Sequence, residues 1–422
     1  MKKSYLEMSK DELLNEYSSV KKDYDALKAQ GISIDMSRGK PASDQLDLSN
    51  GMLTVLDDGN FKCEAGVDVR NYGVLSGIPE CKRMFAELLS VKPENVIVGG
   101  NSSLTMMYDY VSQCMYNGAG FAPWANGGKV KFLCPVPGYD RHFAICEYFG
   151  IEMINIPMHD DGPDVDMIEE YVKDPRVKGM FCVPKYSNPQ GITFSDEVVK
   201  RIANLNTAAD DFRIIWDNAY CVHELTDNGD ELLNIFDVLP ERNKNMVIEV
   251  ASTSKISYPG AGVACLVSSV ENVDAILKRL TIQSISYDKV NMLRHYRFFK
   301  NADGIKAHMK RHAAILKPKF DAVTDNLEKD LGGLGIAKWL KPKGGYFISL
   351  DVTAGSASRV GVLCKEAGVT LTKVGATYPY GKDPTDSNIR IAPSFPTPDV
   401  LAKAVEVLTV SVRLACLEEL IK

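Results

Sequence analysis

The sequence predicts an α/β protein: a three-layer domain built on a mostly parallel sheet, joined to a smaller α+β domain. Three observations predict it. Short apolar runs alternate with helix-like segments through the middle of the chain, as when crossover helices bury strands on both faces. Polar and glycine-rich punctuation falls at the carboxyl ends of those runs, where such sheets collect ligands. Beyond about residue 325 the composition changes to strand-like runs set between longer helices. A chain of 422 residues, 45% of them hydrophobic, is long enough for more than one domain. The expected division is 48–300 for the large domain, with 1–47 and 301–422 together forming the small one.

Each element has its own signal. Ser9 followed by Glu12 is a capping box, and Leu13, Leu14, Tyr17, Val20, Tyr24 and Leu27 recur at helical spacing up to Gly31. Ser37-Arg38-Gly39-Lys40-Pro41 is a polar loop whose glycine permits close backbone approach to a ligand. A helix is expected over 80–89. The run 96–98 reads as a strand entering Gly99-Gly100-Asn101-Ser102-Ser103-Leu104 and a further helix, which is a cradle for an anion. The glycine-rich stretch 117–128 reads as a long loop, a lid or an interface piece. Strands are expected at 130–134, 152–157, 179–183, 213–216, 246–250 and 263–267, with helices at 140–148, 165–172, 195–206 and 232–238. A mostly helical stretch then leads to about residue 325, followed by strands at 343–351, 368–373 and 388–392 and helices at 359–367 and 398–420.

Composition excludes several functions. A formal net charge of −6 argues against a nucleic-acid footprint. No apolar run approaches the roughly 20 residues that span a bilayer, and the first residues lack the apolar centre of a signal peptide. The ten cysteines show no C-x-x-C spacing and read as buried thiols of a reducing cytoplasm. His308 and His312 stand four apart, but Lys306, Lys310 and Arg311 around them would repel a cation. They read as part of a solvated helix face, and no metal site is expected.

The chemistry centres on Ala251-Ser252-Thr253-Ser254-Lys255, which follows one apolar run and precedes Pro259-Gly260-Ala261-Gly262 and another. A lysine among apolar strands loses part of its charge stabilisation and becomes a usable nucleophile, and neighbouring hydroxyls and backbone N–H groups suit a phosphate. Three other strand ends carry polar clusters: Pro137-Gly138-Tyr139-Asp140, Asn188-Pro189-Gln190-Gly191 and Asp217-Asn218-Ala219-Tyr220.

In that order, Asn188 in Asn-Pro-Gln-Gly, Asp217 and Tyr220 in Asp-x-x-Tyr, Lys255 in Ser-x-Ser-Lys and Arg390 in Asn-Ile-Arg-Ile resemble the pyridoxal-phosphate aminotransferases of fold type I. Further motifs, among them Ser-Arg-Gly-Lys-Pro, Pro-Gly-Tyr-Asp-Arg-His-Phe and Tyr-Asp-Lys-Val-Asn, are similar to the type Ic aspartate aminotransferases. The resemblance implies pyridoxal 5'-phosphate bound through a Schiff base to Lys255, with Asp217 on the pyridine nitrogen and Asn188 and Tyr220 on the ring oxygen. Tyr139 would stack on the ring, and Ser102, Ser103, Leu104, Ser252 and Ser254 would hold the phosphate. Arg390 and Gly39 would receive the substrate α-carboxylate, with Asn188 beside them. Transamination of aspartate with 2-oxoglutarate is the implied reaction. Tyr72 matches a tyrosine that reaches the phosphate of the other subunit, which implies a homodimer with shared sites. Lys289, 34 positions after Lys255, is offered for the distal carboxylate, although an exposed helix lysine is the plain reading; Arg38, Arg141 and Arg294 come next. One departure stands out: many relatives carry an arginine shortly after the lysine, where this chain has Ala261-Gly262. Lys40, Arg38 and Arg141 are candidates to replace it. The same motifs also fit another amino-acid specificity, a β-elimination, or an aminotransferase-like ligand sensor.

Overall fold

Eight strands make the central sheet of the structure, a computed structural model that describes residues 3–422. Their spatial order is Val96–Gly99, Ala264–Val267, Val247–Ser252, Arg213–Asp217, Val177–Cys182, Lys131–Val136, Glu152–His159 and Gly162–Pro163. The pairs from Val247–Ser252 to Glu152–His159 are all parallel. Ala264–Val267 runs antiparallel to both neighbours, and Gly162–Pro163 folds back at the far edge. Every residue of Val96–Gly99, Arg213–Asp217 and Ala264–Val267 is buried, which explains their continuous apolar runs. Phe132, Phe181, Ile215 and Ile248 enter one core layer, while Leu133, Met180, Ile214 and Val247 enter the opposite one. Helices Ser103–Tyr116 and Asp140–Tyr148 cover the first layer, and Val165–Tyr171 and Asp196–Ala203 the second.

A second core gathers both chain ends. Ile34–Met36 pairs in parallel with Val369–Leu371, and Ala337–Trp339, Ile348–Val352 and Asn388–Ile391 form an antiparallel sheet. The capping box holds at helix Lys10–Lys28: Ser9 N donates to Glu12 Oε2 at 2.7 Å, and Glu12 N donates to Ser9 Oγ at 3.3 Å. Val20, Tyr24 and Leu27 of that helix pack with Leu401, Val405 and Leu408 of Pro398–Ile421. Helix Ala302–Leu331 joins the two cores. Ile305 and Met309 lie with Val96 and Val98, whereas Leu316, Phe320 and Val323 lie with the chain-end core.

Several expectations are corrected. No α-helix forms over 232–238; only the short 3-10 turn Ile235–Asp237 appears there, capped by Asn234 and followed closely by Pro240. The strand expected over 343–351 is confined to Ile348–Val352, because Gly344 and Gly345 pack against the Tyr186 side chain. The stretch 117–128 is not an active-site lid. Trp124 is buried, stacks on Phe121 at 5.8 Å and meets Phe132 edge-on. His308 and His312 do not lie on a solvated face: they are 5% and 0% exposed. They share a stripe with Ile305, Met309 and Leu316, and this stripe packs inward while the basic residues between them point away. Lys289, read as exposed on residue type alone, is 2% exposed.

Candidate active site

A cavity of about 480 Å³ opens at the carboxyl ends of the central strands. Each wall comes from a turn that leaves the sheet. Ser102, Ser103 and Leu104 follow Val96–Gly99, with Ser103 the first residue of its helix. Tyr139 follows Lys131–Val136, Asn188 follows Val177–Cys182, and Asp217 with Tyr220 closes Arg213–Asp217. Ser252, Ser254 and Lys255 end Val247–Ser252. Gly39, Arg38, Phe347, Thr372, Lys373 and Arg390 join the lining from the chain-end side. Parallel strands bring residues more than a hundred positions apart to one rim.

Asp217 is 2% exposed, and its Oδ2 lies 3.1 Å from His142 Nε2. Its Oδ1 is buried with no partner. A carboxylate with one oxygen braced and the other open is a receptor for a cationic N–H donor. His142 is fixed in turn by stacking on Phe181 at 4.5 Å. Lys255 Nζ lies 5.2 Å from the centre of the Tyr220 ring and 5.9 Å from that of Tyr346. Burial lowers the Lys255 pKa, and Asp217 opposes the shift in part. A larger share of neutral amine is therefore present at a given pH. Burial raises the Tyr220 hydroxyl well above its ordinary value, so it remains a proton donor.

Arg390 Nη1 donates to Asp140 Oδ1 at 2.9 Å and to Asn188 Oδ1 at 3.3 Å, and the guanidinium lies over the Phe347 ring at 4.9 Å. Thr372 Oγ1 accepts a long 3.4 Å bond from Arg390 Nε. Nη2 is thus the guanidinium nitrogen left for an incoming carboxylate. A Cβ on Gly39 would stand 2.4 Å from Phe347 Cζ, so only glycine lets the loop pass so close to that ring.

The Ala261-Gly262 slot is bridged by Asn291, whose Nδ2 donates to both carbonyls at 2.9 and 2.8 Å; Arg294 Nη2 donates to Asn291 Oδ1. Of the basic residues expected to stand in for the missing arginine, Arg38 and Arg141 line the cavity. Lys40 does not, and its Nζ sits 3.9 Å over the Phe395 ring instead. Tyr72, 72% exposed, and Lys289 lie outside the lining of this chain's own cavity.

Sequence reasoning assigned no role to His142, Phe347 or Thr372, and none to Asp140 as the partner of Arg390. His142 had a signal, since it stands three residues after Tyr139 on one helical face. The partner of Asp140 lies 250 positions away, and no local pattern announces it.

Residues 8–422 match the family described as aspartate amino-transferase. An aspartate aminotransferase of Corynebacterium glutamicum is 46% identical over 405 residues, covering 95% of this chain and 94% of that protein. The crystal structure of an aspartate transaminase from C. glutamicum superposes with a TM-score of 0.97 at 44% identity, over 99% of each chain. The α-aminoadipate aminotransferase LysN of Thermus thermophilus, solved with N-(5'-phosphopyridoxyl)-L-leucine, shares the fold with a TM-score of 0.73 at 20% identity, over 92% of this chain and 93% of that one. No helix among the described residues is long and apolar enough to cross a membrane. With a family match across nearly its whole length, the chain belongs to the aspartate aminotransferase family and is an aminotransferase.

Proposed function

We propose that the chain transfers the amino group of aspartate to a 2-oxo acid, 2-oxoglutarate foremost, with pyridoxal phosphate seated in the 480 Å³ cavity. The observation that carries this reading is the buried, unpartnered Oδ1 of Asp217 in a cavity that also holds Lys255. A protonated pyridine nitrogen is the donor that this oxygen fits. When bound, the cofactor would supply the sink for the electrons left on the substrate α-carbon. Lys255 Nζ would take the α-proton from the substrate and deliver it to the C4′ carbon of the cofactor, a task suited to an amine of lowered pKa. Asn188 and Tyr220 would hold the ring oxygen, and Tyr139 would cover the ring. The N-terminus of helix Ser103–Tyr116, with Ser252 and Ser254, would hold the phosphate.

Arg390 receives the α-carboxylate, with Gly39 admitting the backbone beside it. Aspartate carries a second carboxylate, and the cavity holds further cations. Arg38 and Arg141 line it, and neither makes an ion pair among the described residues. We assign the distal carboxylate to them rather than to Lys289, which could serve only from a second copy of the chain. Tyr72 would likewise act in the site of a second copy, as a homodimer with shared sites requires. The ten free cysteines suit a reducing cytoplasm. A panel of amino donors and 2-oxo acids on purified protein tests the reading. Oxaloacetate from aspartate and 2-oxoglutarate is expected, and Arg141→Met should raise the aspartate KM about tenfold or more. Pyruvate released without an acceptor would establish elimination instead, and activity only with monocarboxylic donors would overturn the assignment.

A further inference from the structure

We propose that His308 and His312 are positioning residues for Lys255. With Gln45 and Tyr346 they form a buried polar relay that ties the peptide after Lys255 to the segment that receives the substrate carboxylate. The inference rests on the reading of Lys255 as the cofactor lysine.

The turn carrying Lys255 is short and closed on itself: Ile256 N donates to the Thr253 carbonyl at 2.9 Å and Ser257 N to the same oxygen at 2.8 Å. The Ile256 carbonyl, one residue beyond Lys255, points away from the cavity into helix Ala302–Leu331, where it lies 3.0 Å from His308 Nε2. His312 Nε2 lies 3.1 Å from that same nitrogen. The proton on His312 Nε2 is shared between His308 Nε2, which accepts it, and the Ile256 carbonyl. On the far side, Gln45 Nε2 donates to His312 Nδ1 at 3.1 Å and to the Tyr346 hydroxyl at 2.9 Å. Ser49 Oγ reaches His308 Nε2 at 3.2 Å. All five side chains are buried.

Both ends of this relay meet the reaction. Gln45 follows the Ser37–Gly39 loop by six residues, and Gly39 packs on Phe347, the residue after Tyr346, whose ring carries Arg390. The Tyr346 ring itself lies beside Lys255 Nζ. A carboxylate arriving at Arg390 therefore presses on elements that are hydrogen-bonded, through two imidazoles, to the backbone of the lysine. A hydrophobic filler would pack the same space but could not fix the direction of a carbonyl. Burial pushes both imidazoles down to about 4, so the relay operates uncharged at neutral pH. The other titratable groups that face it are His223, beside Lys255 and His312, and Arg311 on the same helix.

Three variants test the relay: Gln45→Met, His308→Leu and the conservative His308→Gln, whose amide oxygen can accept from His312 in place of Nε2. Two measurements apply to each. One is the pH midpoint for chemical labelling of the Lys255 amine in cofactor-free protein. The other is kcat against KM in the loaded enzyme. Gln45→Met and His308→Leu should each move the labelling midpoint by about 0.5 pH unit or more. They should also lower kcat about tenfold, the scale of one hydrogen bond. His308→Gln should recover both to within about twofold. A folded Gln45→Met protein with an unchanged midpoint and kcat would overturn the relay, and it decides the matter if His308→Leu does not fold. A Schiff-base absorbance of the cofactor that survives Lys255→Ala in the absence of added amine would refute the lysine reading itself, a separate result.

Discussion

Replacing Glu249 by glutamine should stabilise the protein at pH 8 and leave it unchanged below pH 4.5. Glu249 lies on Val247–Ser252 opposite Trp216, is 4% exposed, and accepts one bond at 2.8 Å from Asn218 Nδ2. Burial pushes its carboxyl from the ordinary 4.5 up to about 7, and the Asn218 bond offsets only part of this. The folded chain thus holds a proton that the unfolded chain has released throughout that interval. Stability must fall as pH rises from about 4.5 to about 7 and then level off. The gap corresponds to about 3 kcal/mol at pH 8. Glutamine has the shape of the protonated acid and can still accept from Asn218, so it should abolish that loss. Heat-unfolding midpoints of both proteins at several pH values between 4.5 and 8 measure it, because all other titrating groups cancel in the difference. The variant should gain several degrees at pH 8. A variant no more stable than the parent at pH 8, or equally more stable at pH 4.5, would refute the reasoning.

Three more outcomes concern the cavity. Lys255→Ala should abolish turnover and the visible absorbance of lysine-bound cofactor; retained turnover would remove the central assignment. Asp217→Asn keeps the shape and the contact with His142 but removes the charge facing the open Oδ1 position. Cofactor Kd should rise about ten- to a hundredfold, the scale of a charge-assisted bond, and equilibrium titration showing an unchanged Kd would count against the ring-nitrogen role. Gly39→Ala forces a methyl into the Phe347 ring and should cost about 1–3 kcal/mol of stability. It should also raise the KM for amino acids, and a variant with normal melting and KM would show that the loop can move aside.

Much of the cavity lining was legible in the sequence. Asn188, Asp217, Lys255 and Ser102 each end an apolar run, and a parallel sheet sends all such ends to one rim. Arg390 was legible only through the order of motifs, because it arrives from a different sheet. The histidines were misread for a physical reason. Four-residue spacing places His308 and His312 on one helical face, but their charged neighbours in sequence lie on the opposite face and say nothing about its burial. Lys289 was misjudged because a residue type sets only a tendency towards exposure; at the start of Lys289–Phe299 its stem is covered by neighbouring segments.

The sequence by itself determined the layered fold and the family and singled out one lysine as the candidate, because alternation, strand-end punctuation and ordered motifs are local or sequential properties. Only the tertiary structure decided which groups stand beside them. It placed Asp140 on Arg390, His142 on Asp217 and two neutral imidazoles behind Lys255. Those pairings join residues 250 and 75 positions apart, and His308 with Ile256 at 52, and a hydrogen bond depends on a few ångströms of space that spacing along the chain does not encode.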